Sequence, residues 1–394
     1  MPDLLLKNVR PLGAVARDVL ILDGVIAEGP ARPGLPVEDG GGAIIWPGLI
    51  DANTHLDKTT CGMGWHENNR EAVLRSRIDY ERENRLDLGI DPHRQSMRHA
   101  IGLAAHGASH IRSHVDIDPT HGLRLVEGVQ ETREKLRGII DIEIVAFPQS
   151  GVMVMPGTVE LLDEALSSGC EMLGGIDPCG IDRDPKGQLD VLFDLAGRHG
   201  VGIDIHLHEA GDLGAFTMEL IFERVRATGM QGRFAISHAF ALGMNDHLRV
   251  GRLIEEIAAL DIAILTTGAP SATVPSVKRL KEAGVRVGAG CDGIRDTWGP
   301  RGQPDMIDRA RIIGMKNGFR SDHDLRLALE LASVGGAEVM GLQGYGLAPG
   351  CKADFTLLAG ETLAHAVVES APRPLVVKGG RVVARTGRCI LDMP

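Results

Sequence analysis

The sequence predicts an α/β protein: a (β/α)8 barrel of the TIM type with a small β-sandwich domain formed by both chain ends. In the middle of the chain, eight apolar segments rich in Ile and Val alternate mostly with helical segments, which is the count of a closed parallel barrel. Both ends instead carry short apolar runs broken by Gly-Gly or Asp-Gly, a pattern typical of hairpins. The length of 394 residues fits a barrel of roughly 250 residues plus a smaller domain.

The domain boundaries follow from these patterns. Residues 1–47 and 346–394 carry the hairpin pattern, and neither end has enough strands for a stable sheet of its own. We therefore expect the two ends to pair in one small domain; two unrelated terminal additions are the alternative. Residues 48–345 are expected to form the barrel, with its strands in PGLIDANTHL, ASHIRSHVDI, IDIEIVAFPQ, EMLGGIDP, VGIDIHLHE, RFAISHAF, IAILTTG and VRVGAGCDG.

A charged helical insertion is predicted after the first barrel strand, in the segment ENNREAVLRSRIDYERENRLDLG. Its position suggests a cap over the mouth of the barrel. A helix that only faces solvent is the alternative, and the sequence does not decide between them.

The composition argues against several classes of partner. The formal net charge of −11 disfavours binding to nucleic acid or to an anionic membrane surface. The sequence contains no run of about 20 apolar residues, and its start, MPDLLLKNVRPLG, lacks the pattern of a secretory signal. The six cysteines form no CxxC pair, so we expect free thiols in a reducing cytoplasm. We expect a cytoplasmic protein with a small-molecule substrate, and the sequence is compatible with a homo-oligomer.

Polar residues follow the predicted barrel strands, where such a barrel carries its reactive groups. They include Asn53, His55, Gln149, His206, His208, His238 and Asp292. Side chains two residues apart on a strand share a face, so Asn53 points with His55, and His206 points with His208. Imidazole and carboxylate groups that converge from several strands suit a divalent metal. The sequence predicts one such ion, with Zn expected first and Fe or Mn as alternatives.

The chain resembles the amidohydrolase superfamily, within the branch that contains bacterial cytosine deaminase and N-isopropylammelide isopropylamidohydrolase. The resemblance covers nearly the whole chain. It rests on the segments PGLIDANTHLDK, IRSHVDID, IDIEIVAFPQSG, DIHLHEAGD, ISHAF, GAGCDGIRDTWGPRGQPDM and YGLAPGCKADFTLL.

The resemblance implies a role for each matching residue. His55, His206 and Asp292 would bind the metal, and Asp292 would also accept the proton of the attacking water. His238 would hydrogen-bond the attacking hydroxide or the developing charge, and Glu209 would move protons.

A second group of residues is expected to contact the substrate. The resemblance implies that Gln149 reads the edge of the substrate ring and that Trp298 lies beside it. His208 and Lys58 complete the predicted substrate-binding set, although an ion pair at the start of the loop is an equal alternative for Lys58. Trp65 is the other aromatic residue considered for stacking.

Two positions depart from the family pattern. The first histidine of the HxH pair on strand one is Asn53 here, and an amide oxygen is a poorer zinc ligand than imidazole. Asn53 is therefore a weak ligand or a holder of water, or the site uses His55, His206, Asp292 and solvent, or the metal site is impaired. The second departure is Gly293, which stands where the deaminase has an aspartate and argues against cytosine as the substrate.

These observations predict a metal-dependent amidohydrolase or deaminase that hydrolyses an exocyclic C–N bond, to an amine or N-alkylamine, on a small nitrogen heterocycle such as an aminopyrimidine or aminotriazine. One alternative is a metal-impaired binding protein of the same fold, which Asn53 alone supports. Another is a cyclic-amide hydrolase. Many such enzymes use a lysine on strand four, and the segment EMLGGIDP has none.

Overall fold

The computed structural model describes residues 2–68 and 73–390. Residues 69–72 of the predicted helical insertion and residues 391–394 of the predicted C-terminal segment lie outside the described residues. The chain starts with short strands β1 Leu4–Pro11, β2 Arg17–Leu22, β3 Val25–Ala27, β4 Val37–Asp39 and β5 Ile44–Pro47.

The central sheet has eight strands whose neighbours pair in parallel and in chain order. They are β6 Leu49–Thr54, β7 Ala108–Asp116, β8 Asp141–Phe147, β9 Met172–Ile176, β10 Gly202–His206, β11 Phe234–Ser237, β12 Ala263–Thr266 and β13 Val287–Ala289. Almost every residue of these strands is buried, as expected of a parallel sheet covered on both faces.

The last barrel strand returns to the first, which brings the two ends of the sheet together. The backbone N–H of Asp292, just after β13, donates to the carbonyl of Asn53 on β6 at 2.9 Å. Gly290 is required at this contact, because a Cβ there would lie 2.4 Å from the same carbonyl oxygen. Asp292 is therefore held beside the strand that carries Asn53 and leads into His55.

Helices between and after the barrel strands cover the sheet. They are α1 Leu74–Asn84, α2 Pro92–Ala105, α3 Arg124–Lys135, α4 Thr158–Ser167, α5 Pro185–His199, α6 Gly211–Thr228, α7 His247–Ala259, α8 Val277–Glu282, α9 Met306–Lys316, α10 Asp322–Leu331, α11 Val334–Met340 and α12 Leu363–Val368. Local sequence explains several ends. The Asp184 side chain caps α5, Pro185 takes its first position, and Gly200 ends it with φ of 68°.

The two chain ends meet in a separate nine-stranded sheet. Its C-terminal strands are β14 Phe355–Leu358, β15 Leu375–Lys378, β16 Arg381–Arg385 and β17 Arg388–Cys389. The N-terminal and C-terminal parts join where β5 pairs antiparallel with β14, from Phe355 opposite Pro47 to Leu358 opposite Ile44. The predicted barrel with a small β domain from both chain ends is confirmed. The boundaries 1–47, 48–345 and 346–394 remain our proposal for dividing the chain.

Two further properties concern the described part of the chain. Its helices include none that is long and apolar enough to cross a membrane. All six cysteines lie in the described ranges, and all are free thiols.

Candidate active site

Three predicted metal ligands meet at the carboxyl ends of the barrel strands. The Nε2 atom of His55 lies 3.4 Å from Oδ1 of Asp292, and the Nε2 atom of His206 lies 3.7 Å from the same oxygen. The potential ligand atoms of these residues are all within 4.8 Å of one another. Two atoms bound tetrahedrally to zinc at about 2.0–2.1 Å are separated by roughly 3.4 Å. The spacing therefore fits a shared divalent ion.

The hydrogen bonding of the two histidines supports the same interpretation. His55 donates from Nδ1 to the carbonyl of His114 at 3.0 Å, which leaves Nε2 as the unprotonated nitrogen that a metal requires. His206 is only 2% exposed, and within the described residues neither ring nitrogen has a hydrogen-bond partner. An unsatisfied buried polar group costs about 1–3 kcal/mol. A bound metal ion would relieve this cost at His206.

Asn53 has the same property. Its side chain is fully buried, and neither the amide oxygen nor the amide nitrogen finds a partner in the described part of the chain. It lies on β6 two residues before His55, as the sequence predicted. The Asn53 amide is therefore free to bind a ligand, and it makes no hydrogen bond to the described residues of the cluster.

His238 is the fourth side chain around Asp292. Its Nε2 atom lies 3.6 Å from Oδ1 of Asp292. His238 and Asp292 have φ of 73° and 58°, in the left-handed region that ordinary residues rarely adopt and that costs about 1–3 kcal/mol. Their backbone N–H groups donate to Leu265 and Asn53, each at 2.9 Å. Neighbouring barrel strands therefore hold both residues in strained conformations that aim their side chains at one point.

The electrostatics of the cluster favour a charged aspartate among neutral histidines. Burial opposes ionisation of Asp292, but His238, His206 and His55 together hold the pKa of that carboxyl well below its ordinary value. Burial lowers the pKa of His238 to about 4. Burial, with the neighbouring His114, also lowers the pKa of His206 well below its ordinary value. Neutral imidazole nitrogens and an ionised carboxylate are the ligand forms that a divalent metal binds.

A cavity of about 300 Å³ opens at the cluster. Of the predicted site residues, those that line it are His55, Lys58, Gln149, His206, His208, Asp292 and Trp298. Asn53, Glu209 and His238 are not among the lining residues. Asn53 and His238 are buried, and Nε2 of His238 lies 3.6 Å from Oδ1 of the cavity-lining Asp292. Trp65 is 69% exposed and does not line the cavity.

Lys58 belongs to a buried network of charged side chains. Its Nζ atom contacts Asp116 at 2.9 Å, Gln149 at 2.9 Å and Glu81 at 3.1 Å, which uses all three N–H donors of the ammonium group. Arg85 donates to Glu81 and Asp57, each at 2.6 Å, and to Asp116 at 2.7 Å. Lys58 therefore pairs with carboxylates from β7 and α1, while the adjacent Asp57 pairs with Arg85, so these ion pairs are not the local pair at the start of the loop that the sequence left as an alternative.

Gln149 is bound into this network through its whole amide. Its oxygen accepts from Lys58 at 2.9 Å, and its nitrogen donates to Asp116 at 3.1 Å and to Glu81 at 3.2 Å. Both amide hydrogens are therefore engaged, and only the second lone pair of Oε1 is left for a ligand. Its predicted role in reading the ring edge stays a prediction, now limited to accepting a hydrogen bond in this conformation.

His208 faces the cavity and has a fixed orientation. Its Nδ1 atom lies 2.7 Å from Oδ2 of Asp177, and its backbone N–H donates to the same carboxylate at 2.6 Å. Burial lowers the pKa of His208, but the charge of Asp177 outweighs this and the net shift is upward. Because Nδ1 is engaged with Asp177, Nε2 is the nitrogen left for a ligand.

Glu209 is not among the residues that line the cavity, and both of its carboxylate oxygens are engaged. One carboxylate oxygen accepts from the backbone N–H groups of Cys179 at 2.7 Å and Gly180 at 2.9 Å. The other accepts from the hydroxyl of Thr217. Burial raises the pKa of this carboxyl. The structure therefore shows Glu209 as an anchor between the loop after β9 and helix α6, and its predicted proton transfer stays a prediction.

Helix α1, within the predicted insertion, packs over the cavity. Ile78 is fully buried in a cluster with Phe147 and Ile176, and Trp298 packs against that cluster. Glu81, one turn later on the same helix, is also fully buried. Of the two alternatives for the described part of the insertion, the structure supports a cap over the barrel mouth.

Several site residues were given no role in the sequence analysis. Glu81 and Arg85 have the i,i+4 spacing of a helical ion pair, but the sequence did not indicate that this pair is buried. Asp116 is the last residue of β7, and Asp177 follows β9 directly. Asp296 lines the cavity and lies within the IRDTWGP segment.

Comparison with known proteins finds relatives that are similar over nearly the whole chain. N-isopropylammelide isopropyl amidohydrolase of Pseudomonas sp. strain ADP is 31% identical over 403 residues, which cover 97% of each chain. The crystal structure of N-isopropylammelide isopropylaminohydrolase from Burkholderia multivorans ATCC 17616 has a TM-score of 0.96 at 46% identity, over 99% of this chain and 100% of that one. The crystal structure of 5-methylcytosine deaminase from Klebsiella pneumoniae with 5-fluorocytosine has a TM-score of 0.85 at 26% identity, over 99% of both chains.

The family model described as the amidohydrolase family matches residues 37–384. The predicted branch and the prediction of a hydrolase that acts on C–N bonds are confirmed. The chain belongs to the amidohydrolase family.

Proposed function

We propose that this protein is a metal-dependent hydrolase that cleaves an exocyclic C–N bond on a small nitrogen heterocycle and releases ammonia or an amine. The observation that carries the proposal is the convergence of His55 and His206 on Asp292 at 3.4 Å and 3.7 Å, beside a cavity of about 300 Å³. The relatives named for N-isopropylammelide and 5-methylcytosine support a heterocyclic substrate.

The metal would be held by Nε2 of His55, Nε2 of His206 and Oδ1 of Asp292, with the unpartnered amide of Asn53 as a weak fourth ligand or a holder of water. Zinc is the ion that we expect, because it accepts three protein ligands of the N and O type in catalytic sites. Iron and manganese are the alternatives. A divalent ion here would lower the pKa of a water molecule to near neutrality and act as a Lewis acid.

The chain's own residues provide the remaining steps. Asp292 is ionised near neutral pH because its pKa is held low, so its carboxylate can accept a proton from the attacking water. His238 is neutral above about pH 4, and the N–H of its imidazole can donate to the charge that develops on the substrate. The proton received by Asp292 is then available to the leaving amine.

Substrate contacts would come from other residues that line the cavity. His208 presents Nε2 to the cavity while Asp177 fixes the ring. Trp298 offers an aromatic surface, and the Lys58 ammonium lies 5.9 Å from its ring centre. Gln149 and Lys58 would close the polar end of the cavity as a preformed pair. Glu209 can move a proton to the substrate only if its carboxylate leaves Thr217, so its catalytic role requires a side-chain movement that the other residues do not need.

Two other properties belong to the same proposal. The net charge of −11 favours a small-molecule partner over nucleic acid or an anionic membrane. The six free thiols are typical of a reducing compartment such as the cytoplasm.

A metal-impaired binding protein is the second candidate, and Asn53 is the observation that favours it. A screen distinguishes the two. The protein is loaded with Zn, Fe or Mn, its metal content is measured, and aminopyrimidines, aminotriazines and N-alkyl relatives are tested for release of ammonia or amine. Release by the wild type and not by Asp292→Asn supports the hydrolase. A protein that binds metal and ligand without releasing amine contradicts it.

A further inference from the structure

The loop after β13 contributes a second carboxylate to the cavity. Asp292 and Asp296 are the two acidic residues among its described lining. Asp292 belongs to the cluster with His55 and His206. Asp296 is partly buried, and its Oδ1 atom accepts from the backbone N–H groups of Trp298 at 2.8 Å and Gly299 at 2.9 Å. This oxygen holds the turn that carries Trp298.

The second oxygen of Asp296 is not used by the turn. None of the hydrogen bonds in the described part of the chain involves Oδ2 of this residue. A Cβ built on Gly293 would lie 3.0 Å from Oδ2 of Asp296, and 3.8 Å and 4.0 Å from Cβ and Cδ2 of His55. Because Gly293 has no side chain, the Asp296 carboxylate and His55 approach the same space.

Three other polar side chains that line the cavity are engaged within the protein. Lys58 gives its three donors to Asp116, Gln149 and Glu81. Gln149 gives both amide hydrogens to carboxylates. Arg309 is bound to the carbonyls of Thr267 and Cys291. Asp296 therefore supplies the unengaged carboxylate oxygen of the cavity outside the metal cluster.

The surroundings of Asp296 disfavour its charge in the absence of a ligand. Burial, followed by the negative charge of Glu81, raises the pKa of Asp296 to about 7, although the backbone N–H of Trp298 and the Lys58 ammonium oppose the shift. A ligand that donates N–H groups to this carboxylate would relieve that cost.

We propose that Oδ2 of Asp296 is a specificity-determining acceptor, which binds an N–H donor of the substrate and selects heterocycles that carry a ring N–H beside the exocyclic amine. The proposal rests on the proposed function and names the substrate class more closely. The position of Oδ2 beside Gly293 and His55 puts this acceptor next to the metal cluster, where it adds a carboxylate to the one lone pair that Gln149 still offers.

The alternative is that Asp296 only holds the turn, and Asp296→Asn separates the two roles. Asparagine keeps an oxygen for the N–H groups of Trp298 and Gly299, but its second group becomes an N–H2 donor where the carboxylate accepted. Asp91→Asn is the matched control, because the Asp91 side chain accepts from the backbone N–H of Arg94 at 2.8 Å and is absent from the cavity lining.

The experiment measures kcat and KM for the best amino-heterocycle and for its ring N-methyl analogue, with melting temperature and metal content as controls. Asp296→Asn is expected to lower kcat/KM roughly 10- to 100-fold, mainly through KM, which corresponds to loss of one hydrogen bond to a charged group. The wild type is expected to reject the N-methyl analogue and the variant to lose that discrimination, with metal content equal to that of the wild type and no decrease in melting temperature. Asp91→Asn should behave as the wild type.

The outcomes distinguish this inference from the function on which it rests. An Asp296→Asn variant with the KM and the discrimination of the wild type overturns the role of Asp296 and leaves the hydrolase in place. A metal-loaded wild type that turns over no heterocycle of the panel overturns both.

Discussion

The Nζ atom of Lys58 lies 2.9 Å from Oε1 of Gln149, so two residues expected to bind the substrate separately are bound to each other. Asp116 accepts from both of them, and Glu81 on the covering helix contacts both as well. This part of the cavity lining is therefore held by hydrogen bonds before any substrate binds, and its shape depends on helix α1, which lies over the barrel.

Removal of the Lys58 charge should destabilise the fold. In Lys58→Met, Arg85 alone would face the buried carboxylates of Asp57, Glu81 and Asp116. Breaking a buried ion pair by removing one partner typically costs about 3–5 kcal/mol. The free energy of unfolding from urea titrations should fall by that amount.

Lys135→Met is the matched control for this substitution. Lys135 pairs with Glu131 on the surface at 2.8 Å, where such pairs contribute roughly 0–1 kcal/mol. Equal losses in the two variants would show that the buried network has no special stabilising role.

Asp292→Asn should remove turnover without unfolding the protein. Asparagine is close in shape but cannot accept the proton of water, and loss of a general base typically costs about 10²–10⁴-fold in rate. The expected result is a fall in kcat of that order, with a weakened metal affinity and an unchanged circular dichroism spectrum. Near-normal turnover in this variant would contradict the role of Asp292.

Asn53 should affect metal retention more than folding. Asn53→Ala removes an unpartnered buried amide, and we expect metal affinity to fall roughly 10-fold, within the range seen when groups that support a metal site are removed. Asn53→His should raise affinity, because imidazole is the better zinc ligand. Competition with a chelator measures both. An affinity of Asn53→Ala equal to the wild type would mean that the site uses His55, His206, Asp292 and solvent alone.

Asp296 should make stability depend on pH in a defined direction. Its folded pKa is raised to about 7, above the value near 3.9 expected when unfolded. The folded state therefore holds the proton more tightly, and stability falls as pH rises from about 4 to about 7. Asp296→Asn removes this penalty. The unfolding free energy of the variant minus that of the wild type should therefore increase from pH 5 to pH 7 and stay constant above pH 7. A pH-independent difference would contradict the shifted pKa.

The strand ends of the barrel could be predicted because their pattern is local. Ile- and Val-rich segments that end in polar residues indicated where His55, His206 and Asp292 lie, and the barrel topology brings such ends together. The structure brings these three residues together as expected. The choice of these three as metal ligands among the polar strand ends came from the resemblance to the amidohydrolase superfamily, because the alternation along a strand shows only which side chains share a face.

The residues around the metal cluster could not be predicted in the same way, because their contacts depend on loops and helices. The i,i+4 pair of Glu81 and Arg85 is equally common on exposed helices, so its burial was not readable. The direction of Glu209 depends on side-chain torsions and on the N–H groups of the loop after β9, neither of which leaves a sequence pattern. The resemblance favoured Trp298 over Trp65 as the aromatic residue beside the substrate, but only the fold shows that Trp65 is exposed and that Trp298 lines the cavity.

The most direct test compares amine release by one protein preparation as purified, after its metal is removed and after zinc is restored. The wild type is freed of metal with a chelator, its metal content is measured, and it is assayed on the heterocycle panel before and after one equivalent of Zn is restored. We predict that release of ammonia or amine stops when the metal is removed and returns when zinc is restored. The Asp292→Asn variant should not regain release when zinc is added. A preparation that is measured as metal-free and still releases amine at the original rate would contradict a metal-dependent reaction at His55, His206 and Asp292.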